Sequence, residues 1–372
     1  MKRPLEALLQ DALHAAIAAG DLRVPEAPAC AIEDPELATF GDATCAVARK
    51  IARPLGRPAL DVARTIVRHV RDPHGWLDAV EAAGPGFINL TASLAFWRTE
   101  LARVLDAAAP DAREPAAVVT IAAPDDPSAG RVAVVADAIA RLLGRVGCRV
   151  ERVRADADVP AALGTAADRC VVVGSAATGG VLARAKRLRA EAGGDPTTTT
   201  IVTVAALGAT SRGRSLDAAG VARLLAMDAA RFALLGEEAD VPVELDVDLL
   251  GAERIDNPLF AVRYALVRLA RAAGAELPAP DLERLGAAEL PCLRLVARHR
   301  DVLDLAVRRA EPHLVVAHVR AVAAAAHRYY NRHHPHIGDP RDVAARAAML
   351  RGIGTVLRDG LALAGVRVAE GG

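Results

Sequence analysis

The adjacent carboxylates Asp125 and Asp126 and the hydroxyl of Ser128 stand in the stretch "TIAAPDDPSAGRVAVVADAIARLLGRVGCRV", Thr120 to Val150. The apolar run from Val118 to Ala122 predicts a strand, the Pro and Asp residues after it break that strand, and Ser128 sits where a helix N-cap would. A strand entering a helix N-terminus is the usual entry to a phosphate site, because the first turn offers unpaired N–H groups and the positive end of the helix dipole. Here two carboxylates would repel a phosphate. They are also a poor acid/base pair, because neighbours in a strand or turn point apart.

Two other stretches carry residue types suited to chemistry. "GSAATGG", Gly174 to Gly180, reads as a glycine-bearing turn, but it lacks the GxGxxG spacing and a downstream ribose-binding acid. "HRYYNRHHPH", His327 to His336, holds four histidines within ten residues. Adjacent imidazoles at a helix end rarely converge on one ion without carboxylate or thiolate partners, and only Asp339 is near. The reading therefore assigns no metal and no cofactor.

These stretches must be positioned by three kinds of segment. Residues 1 to about 107 read as a small α/β domain, in which an opening helix is followed by two helices broken between Pro54 and Pro58 and by two strands joined through Gly84-Pro85-Gly86. Residues 116 to 250 alternate strands with helices, with further strands at Cys170 to Val173 and Thr198 to Ala205, and so predict a small parallel sheet. From residue 251 onward, apolar residues recur at three- and four-residue spacing, which predicts a bundle of four or five helices.

Composition bounds the rest. With 372 residues and 52% hydrophobic content the chain buries a large core, and with aromatics at 3% that core is built from Ala, Leu and Val. The five cysteines are scattered without a CxxC pair, which argues against a disulfide framework and a zinc site. The N-terminus reads as an amphipathic helix, and no apolar run approaches the roughly 20 residues of a membrane span, so a cytoplasmic protein with no membrane partner is expected. Formal net charge is zero, which gives no general pull toward DNA. From Gly251 on, however, 18 arginines face 13 acidic residues, a surplus that fits either a phosphate-binding face or a solvated helical surface.

Two fragments near the N-terminus, "FGDATCAVARKIARPLG" and "VEAAGPGFINL", and three in the C-terminal part, "DNPLFAVRYALVRLAR", "HRYYN" and "VLRDGLALAGV", together resemble the arginyl-tRNA synthetase family. The first two are similar to that family's N-terminal additional domain, with Asp42, Gly86, Phe87 and Asn89 on the pattern. The last three are similar to its helical DALR anticodon-binding domain. The resemblance implies a fold of three parts: residues 1–107 as the N-terminal domain, 116–250 as a reduced Rossmann-like remnant of the class I catalytic domain, and 251–372 as the anticodon-binding bundle. It also implies that tRNA is the partner. Arg263, Tyr264 and Arg268 would lie on one helix turned toward the anticodon loop, and Arg328, Tyr329 and Tyr330 would stack on unpaired bases. Asn331 and Arg332 would bond base edges or phosphate, and Phe87 would meet the tRNA elbow. Against these roles, either tyrosine of the pair, or Tyr264, could instead pack the bundle core, and Gly86 is explained by turn geometry.

The middle departs from the family. Alignment on Asp137 to Val150 puts Asp126, Ser128 and Ala129 in the place of the two-histidine signature that would stabilise ATP phosphates, and Gly174 begins a turn from which the family's Asp and His pair are missing. "LGATSRGR", Leu207 to Arg214, stands where the family has a lysine-rich loop; Arg212 and Arg214 do not replace lysine at a shaped site. These departures lead to the expectation of a chain without catalytic activity that binds tRNA as an adaptor or regulator, beside an enzyme that uses charged tRNA. The alternative is a protein-interaction scaffold that has lost tRNA binding.

Overall fold

The structure, a computed structural model, describes residues 1–106, 117–123, 130–154, 168–175, 196–205, 223, 227–271 and 277–368. They form two compact units, one of residues 1–103 with 281–301 and one of residues 104–280 with 302–372.

In the first unit, helix α1 (Lys2–Ala18) buries Leu5, Leu8, Leu9, Ala12, Leu13 and Ala16, the three- and four-residue spacing of an amphipathic helix. Strands β1 (Ile32–Glu33), β2 (Ala43–Cys45), β3 (Leu77–Ala83) and β4 (Phe87–Ala92) form an antiparallel sheet in the order β1-β2-β4-β3. Along β4 the buried residues alternate, Ile88, Leu90 and Ala92, as a half-buried strand requires. Helices α2 (Val47–Leu55) and α3 (Ala59–Arg68) part at Gly56, which closes α2 in the left-handed conformation. Helix α4 (Leu94–Asp106) contributes Phe96, Trp97 and Leu101 to the core.

Two glycines here are required by geometry. A Cβ on Gly41 (φ +90°) would lie 2.5 Å from the Leu90 carbonyl oxygen, and one on Gly86 (φ +106°) would lie 2.5 Å from the Ala59 Cβ. The buried carboxylate of Asp42 accepts a hydrogen bond from the Ala92 backbone N–H at 3.1 Å and forms an ion pair with Arg294 at 2.9 Å. With it, donation from Arg98 Nε to the Leu285 carbonyl at 3.0 Å and the pair of the Met1 amino group with Asp301 at 3.3 Å tie residues 281–301 to the N-terminal part.

In the second unit, strands β5 (Ala117–Ala123), β6 (Cys148–Arg154), β7 (Arg169–Ser175) and β8 (Thr199–Val204) form a parallel sheet in the order β6-β5-β7-β8. Helix α5 (Arg131–Arg145) makes the crossover from β5 to β6. Strand order reverses between β5 and β7, so the carboxyl ends of these strands, at Ala123 and Ser175, flank the switch point, where open α/β sheets bind ligands; segments 124–129 and 176–180 follow them in the sequence. Both segments lie outside the described residues. Gly174 itself is not in a turn: β7 runs on through Ser175, and Gly174 is a buried strand residue paired with Thr203. Cys170 to Val173 is a fully apolar run, and an apolar strand continues its ladder through a glycine as long as the neighbouring strand offers partners.

After the sheet come α6 (Asp228–Leu234), α7 (Val247–Gly251), α8 (Pro258–Arg271), α9 (Leu290–Arg309), α10 (His313–His333) and α11 (Pro340–Leu363). Helices α8, α10 and α11 pack on one another. A Cβ on Gly360 would fall 2.1 Å from a methyl of Val319, so α10 and α11 approach at a distance only glycine permits. Of α9, only the end from residue 302 belongs to this unit. Sheet and helices share the unit through specific ties: Arg145 pairs with Asp359 at 2.9 Å, and Arg169 donates to the carbonyls of Val307 (2.9 Å) and Arg308 (3.0 Å).

Arg131, the first residue of α5, is buried, and its guanidinium donates to the carbonyls of Leu234 (3.1 Å), Glu237 (3.3 Å), Glu238 (2.7 Å) and Val241. Burial holds its pKa below the usual arginine value. Four carbonyl dipoles offset a cation that the helix N-terminus alone would disfavour.

Candidate nucleic-acid interface

Helices α8 and α10 pair so that aromatic and cationic side chains from both meet. Tyr264 lies between Phe260 (centroids 5.8 Å, interplanar angle 8°) and His327 (5.6 Å, 21°), in a stack whose members come from both helices. One turn beyond Tyr264, the guanidinium of Arg268 lies 4.4 Å from the centre of the Tyr330 ring and 5.8 Å from that of Tyr264. Both terminal nitrogens of Arg268 donate to Asn331 Oδ1, at 3.1 and 3.2 Å, and the Tyr330 hydroxyl donates to the Arg268 carbonyl at 2.7 Å. Burial pushes the Tyr330 phenol up.

His327 ties this cluster together. Its Nε2 lies 2.8 Å from the Ala261 carbonyl, so that nitrogen carries the proton, and Nδ1, 3.4 Å from Arg268 Nη1, is left to accept. Desolvation lowers its pKa, and the neighbouring Arg268 charge adds to the effect. Burial and the Arg268 charge both favour the neutral imidazole, and the Ala261 carbonyl selects its Nε2–H tautomer.

Around this cluster the surface is open. Tyr264 is 43% exposed and Ile337 70%. Arg328, Asn331, Arg332, His333, His334 and His336 are also exposed. Aromatic faces beside several cations form a surface able to stack unpaired bases and hold backbone phosphate.

The structure separates the residues that the sequence grouped. Tyr264, Arg268, Tyr330 and Asn331 come together, with Arg328 and Arg332 exposed on the same helix end. Arg263 is turned away from them: it pairs with Asp228 at 2.6 Å and donates to the Arg367 carbonyl at 2.9 Å. Five residues separate it from Arg268, and at about 100° per residue that puts the two on different sides of α8. Tyr329 is 4% exposed with its ring against His333 (5.0 Å), so it is the tyrosine of the pair that packs the core and is no surface for a base. Phe87 lies in the first unit at the start of β4, half-buried, with the Arg49 guanidinium 4.9 Å from its ring centre. Asn89 accepts from the Thr44 hydroxyl at 3.0 Å. Asp126, Ser128, Ala129, Arg212 and Arg214 lie outside the described residues. Among the described residues no three His, Cys, Asp or Glu side chains converge as a metal site would require. Sequence reading missed His327 as the link between helices. Its role depends on which face of α8 packs against α10, and a histidine heading a cluster gives no sign of that.

Comparison with known proteins matches two stretches of the chain to family models. Residues 4–92 match the family model described as the arginyl tRNA synthetase N terminal domain, and residues 264–371 match the DALR anticodon binding domain. The chain belongs to the arginyl-tRNA synthetase family. It is 34% identical over 173 residues to the arginine–tRNA ligase of Nitratidesulfovibrio vulgaris (strain DP4), covering 43% of this chain and 31% of that protein. With the arginine–tRNA ligase of Burkholderia cenocepacia it shares 33% over 150 residues, or 37% of this chain and 25% of that one. The matched stretch thus spans less than a third of the length of these arginyl-tRNA synthetases. Solved structures share the fold. Thermus thermophilus arginyl-tRNA synthetase superposes with a TM-score of 0.73 at 13% identity, covering 100% of both chains, and the Plasmodium falciparum arginyl-tRNA synthetase with 0.72 at 8%, covering 99% of this chain and 98% of that one.

The expectation of a chain without catalytic activity is corrected by these relatives, which carry the name of an enzyme, arginine–tRNA ligase. The positions from which loss was argued, Asp126, Ser128 and Ala129, belong to a segment outside the described residues, and Gly174 is a strand residue rather than part of a binding turn. Among the described residues, no helix is long and apolar enough to cross a membrane.

Proposed function

We propose that the chain binds tRNA, arginine tRNA foremost, through the exposed ends of α8 and α10. One observation carries this reading: Arg268 is held over Tyr330 and beside an exposed Tyr264 by Asn331, a pre-set aromatic and cationic platform in the segment that matches an anticodon-binding domain. A platform of this kind suits unpaired bases, whose faces stack on rings while phosphates meet guanidinium groups. Arg328 and Arg332 extend it as phosphate contacts, and Phe87 with Arg49 forms a separate contact in the N-terminal part. In this reading residues 1–107 serve the tRNA body, 116–250 form the nucleotide-type sheet, and 251–372 read the anticodon loop.

The test is retention of bulk tRNA by the purified chain at several salt concentrations, with sequencing of the retained species and a Tyr264→Ala, Arg332→Ala double variant. Arginine tRNAs should be retained, with affinity falling as salt rises and lower in the variant. Indifference to tRNA at low salt overturns the reading.

A further inference from the structure

The first unit contains a groove of about 670 Å³ that the tRNA-binding reading does not use. One wall is the row Arg3, Ala7, Asp11 and Ala15 of α1, which recurs at four-residue spacing and whose two alanines leave the groove open. The other carries His74 and Trp76, whose rings stack at 4.4 Å and 26°, with the Arg103 guanidinium 5.7 Å from the Trp76 ring centre. Trp76 also meets Phe96 edge-on at 5.8 Å, and Phe96 is in the core.

The loop that bears these rings is braced before any ligand arrives. The Asp72 carboxylate accepts from the backbone N–H groups of His74 (3.3 Å) and Leu77 (2.7 Å). Ser93 holds the other side, its hydroxyl donating to the Gly75 carbonyl at 2.6 Å and its N–H to the Trp76 carbonyl at 2.8 Å. His74 is exposed, so its outer face is available to a flat ring.

The charges are unevenly offset. Arg103 is paired with Glu100, and His69 with Asp21 at 2.8 Å. The terminal nitrogen of Arg71 donates to the carbonyls of Arg68 (3.2 Å) and Val70 (3.1 Å), which orient the guanidinium without cancelling its charge. Asp11 is the one carboxylate lining the groove. A braced aromatic step beside oriented guanidinium groups, in a space of small-molecule size, matches a flat heteroaromatic ring joined to an anion.

We infer that this groove binds a nucleotide, its base stacked on His74 and its phosphate held by Arg71. The inference is independent of the helical face that is proposed to bind tRNA. The chain has two tryptophans, and Trp97 is fully buried, so a ligand-dependent change in tryptophan fluorescence reports on Trp76.

The full chain is titrated with AMP, adenosine, inorganic phosphate and a short single-stranded oligoadenylate RNA, followed by fluorescence and calorimetry, and His74→Ala and Arg71→Ala are titrated alongside. AMP should quench saturably, adenosine and phosphate should each bind at least tenfold more weakly, and each variant should lose about fivefold or more in affinity. Both substituted residues are exposed, and an unchanged melting midpoint in each variant separates lost contacts from lost fold. Tighter binding of the oligoadenylate than of AMP would identify an unpaired RNA nucleotide as the source, and the reverse order a free nucleotide; either supports the site. Absence of saturable quenching at millimolar AMP, phosphate binding as tightly as AMP, or variant titrations that superimpose on the unmodified protein would overturn it.

Discussion

Replacing Arg268 with methionine keeps the apolar stem and removes the guanidinium, which separates its two roles, as a clamp between α8 and α10 and as a surface for RNA. The two hydrogen bonds share one acceptor, Asn331 Oδ1, and so count as about one bond, near 1 kcal/mol. The cation lies 4.4 Å from the Tyr330 ring centre at a half-exposed position, for ~0.5–1 kcal/mol. At 5.8 Å the contact with Tyr264 sits at the limit of the interaction and adds little. The expected loss is about 1.5–2 kcal/mol of stability, read as a lower urea midpoint for the transition of the helical unit. A domain of ordinary stability stays folded after such a loss, so tRNA binding can be measured on the variant. If Arg268 meets phosphate, affinity should fall about tenfold and the slope of log affinity against log salt should shrink by about 1. An Asn331→Ala variant, which loosens the clamp but keeps the charge, should lose a smaller part of the affinity and keep the slope. Affinity and slope both unchanged in the methionine variant would make Arg268 a clamp alone and would refute the placement of the RNA surface.

Other expectations follow from single side chains. Arg131→Met leaves four carbonyls of the 234–241 segment without their donor; at ~1–1.5 kcal/mol for each, discounted for those that water can reach, the loss is about 3–4 kcal/mol, and Arg131→Lys should recover less than half of it in a urea titration. His327 has a folded-state pKa depressed below its unfolded value, so its stabilising effect is complete above about pH 6.5 and is lost as pH falls toward the depressed value. Between pH 8 and pH 5.5 the melting midpoint of His327→Gln should therefore fall less than that of the unmodified protein, and parallel falls would count against the neutral tautomer. Gly86→Ala places a Cβ 2.5 Å from that of Ala59 at a positive φ, and should cost about 2 kcal/mol or more by thermal melting.

Much of this architecture is set locally and can be read along the chain. Leu5, Leu8, Leu9, Ala12 and Leu13 recur at helical spacing, Ile88, Leu90 and Ala92 alternate, and Cys170 to Val173 form an apolar run, so the elements they build depend on periodicity that each segment carries in itself. The two family-like ends were legible for the same reason. "FGD" keeps its glycine because the Leu90 carbonyl comes within 2.5 Å of where a Cβ would be, and its aspartate because a buried carboxylate receives Arg294 and the Ala92 N–H. What the sequence could not decide depends on pairs of residues brought together from afar. Arg263 and Arg268 look alike on paper; Asp228, 35 residues before Arg263, draws one away, and Asn331, 63 residues after Arg268, holds the other at the surface. Tyr329 and Tyr330 are adjacent, yet a rotation of about 100° along α10 buries one ring against His333 and leaves the other beside Arg268. The strand that extends through Gly174 was hidden for a related reason, because a glycine stays in a strand when its neighbour supplies hydrogen bonds, and that neighbour, β8, lies some 25 residues further on. Sequence alone thus determined the elements and the family pattern of the two ends, since both are encoded in local spacing. Which side chains form a surface was decided only by tertiary packing, since that depends on the angle at which each helix meets its partner.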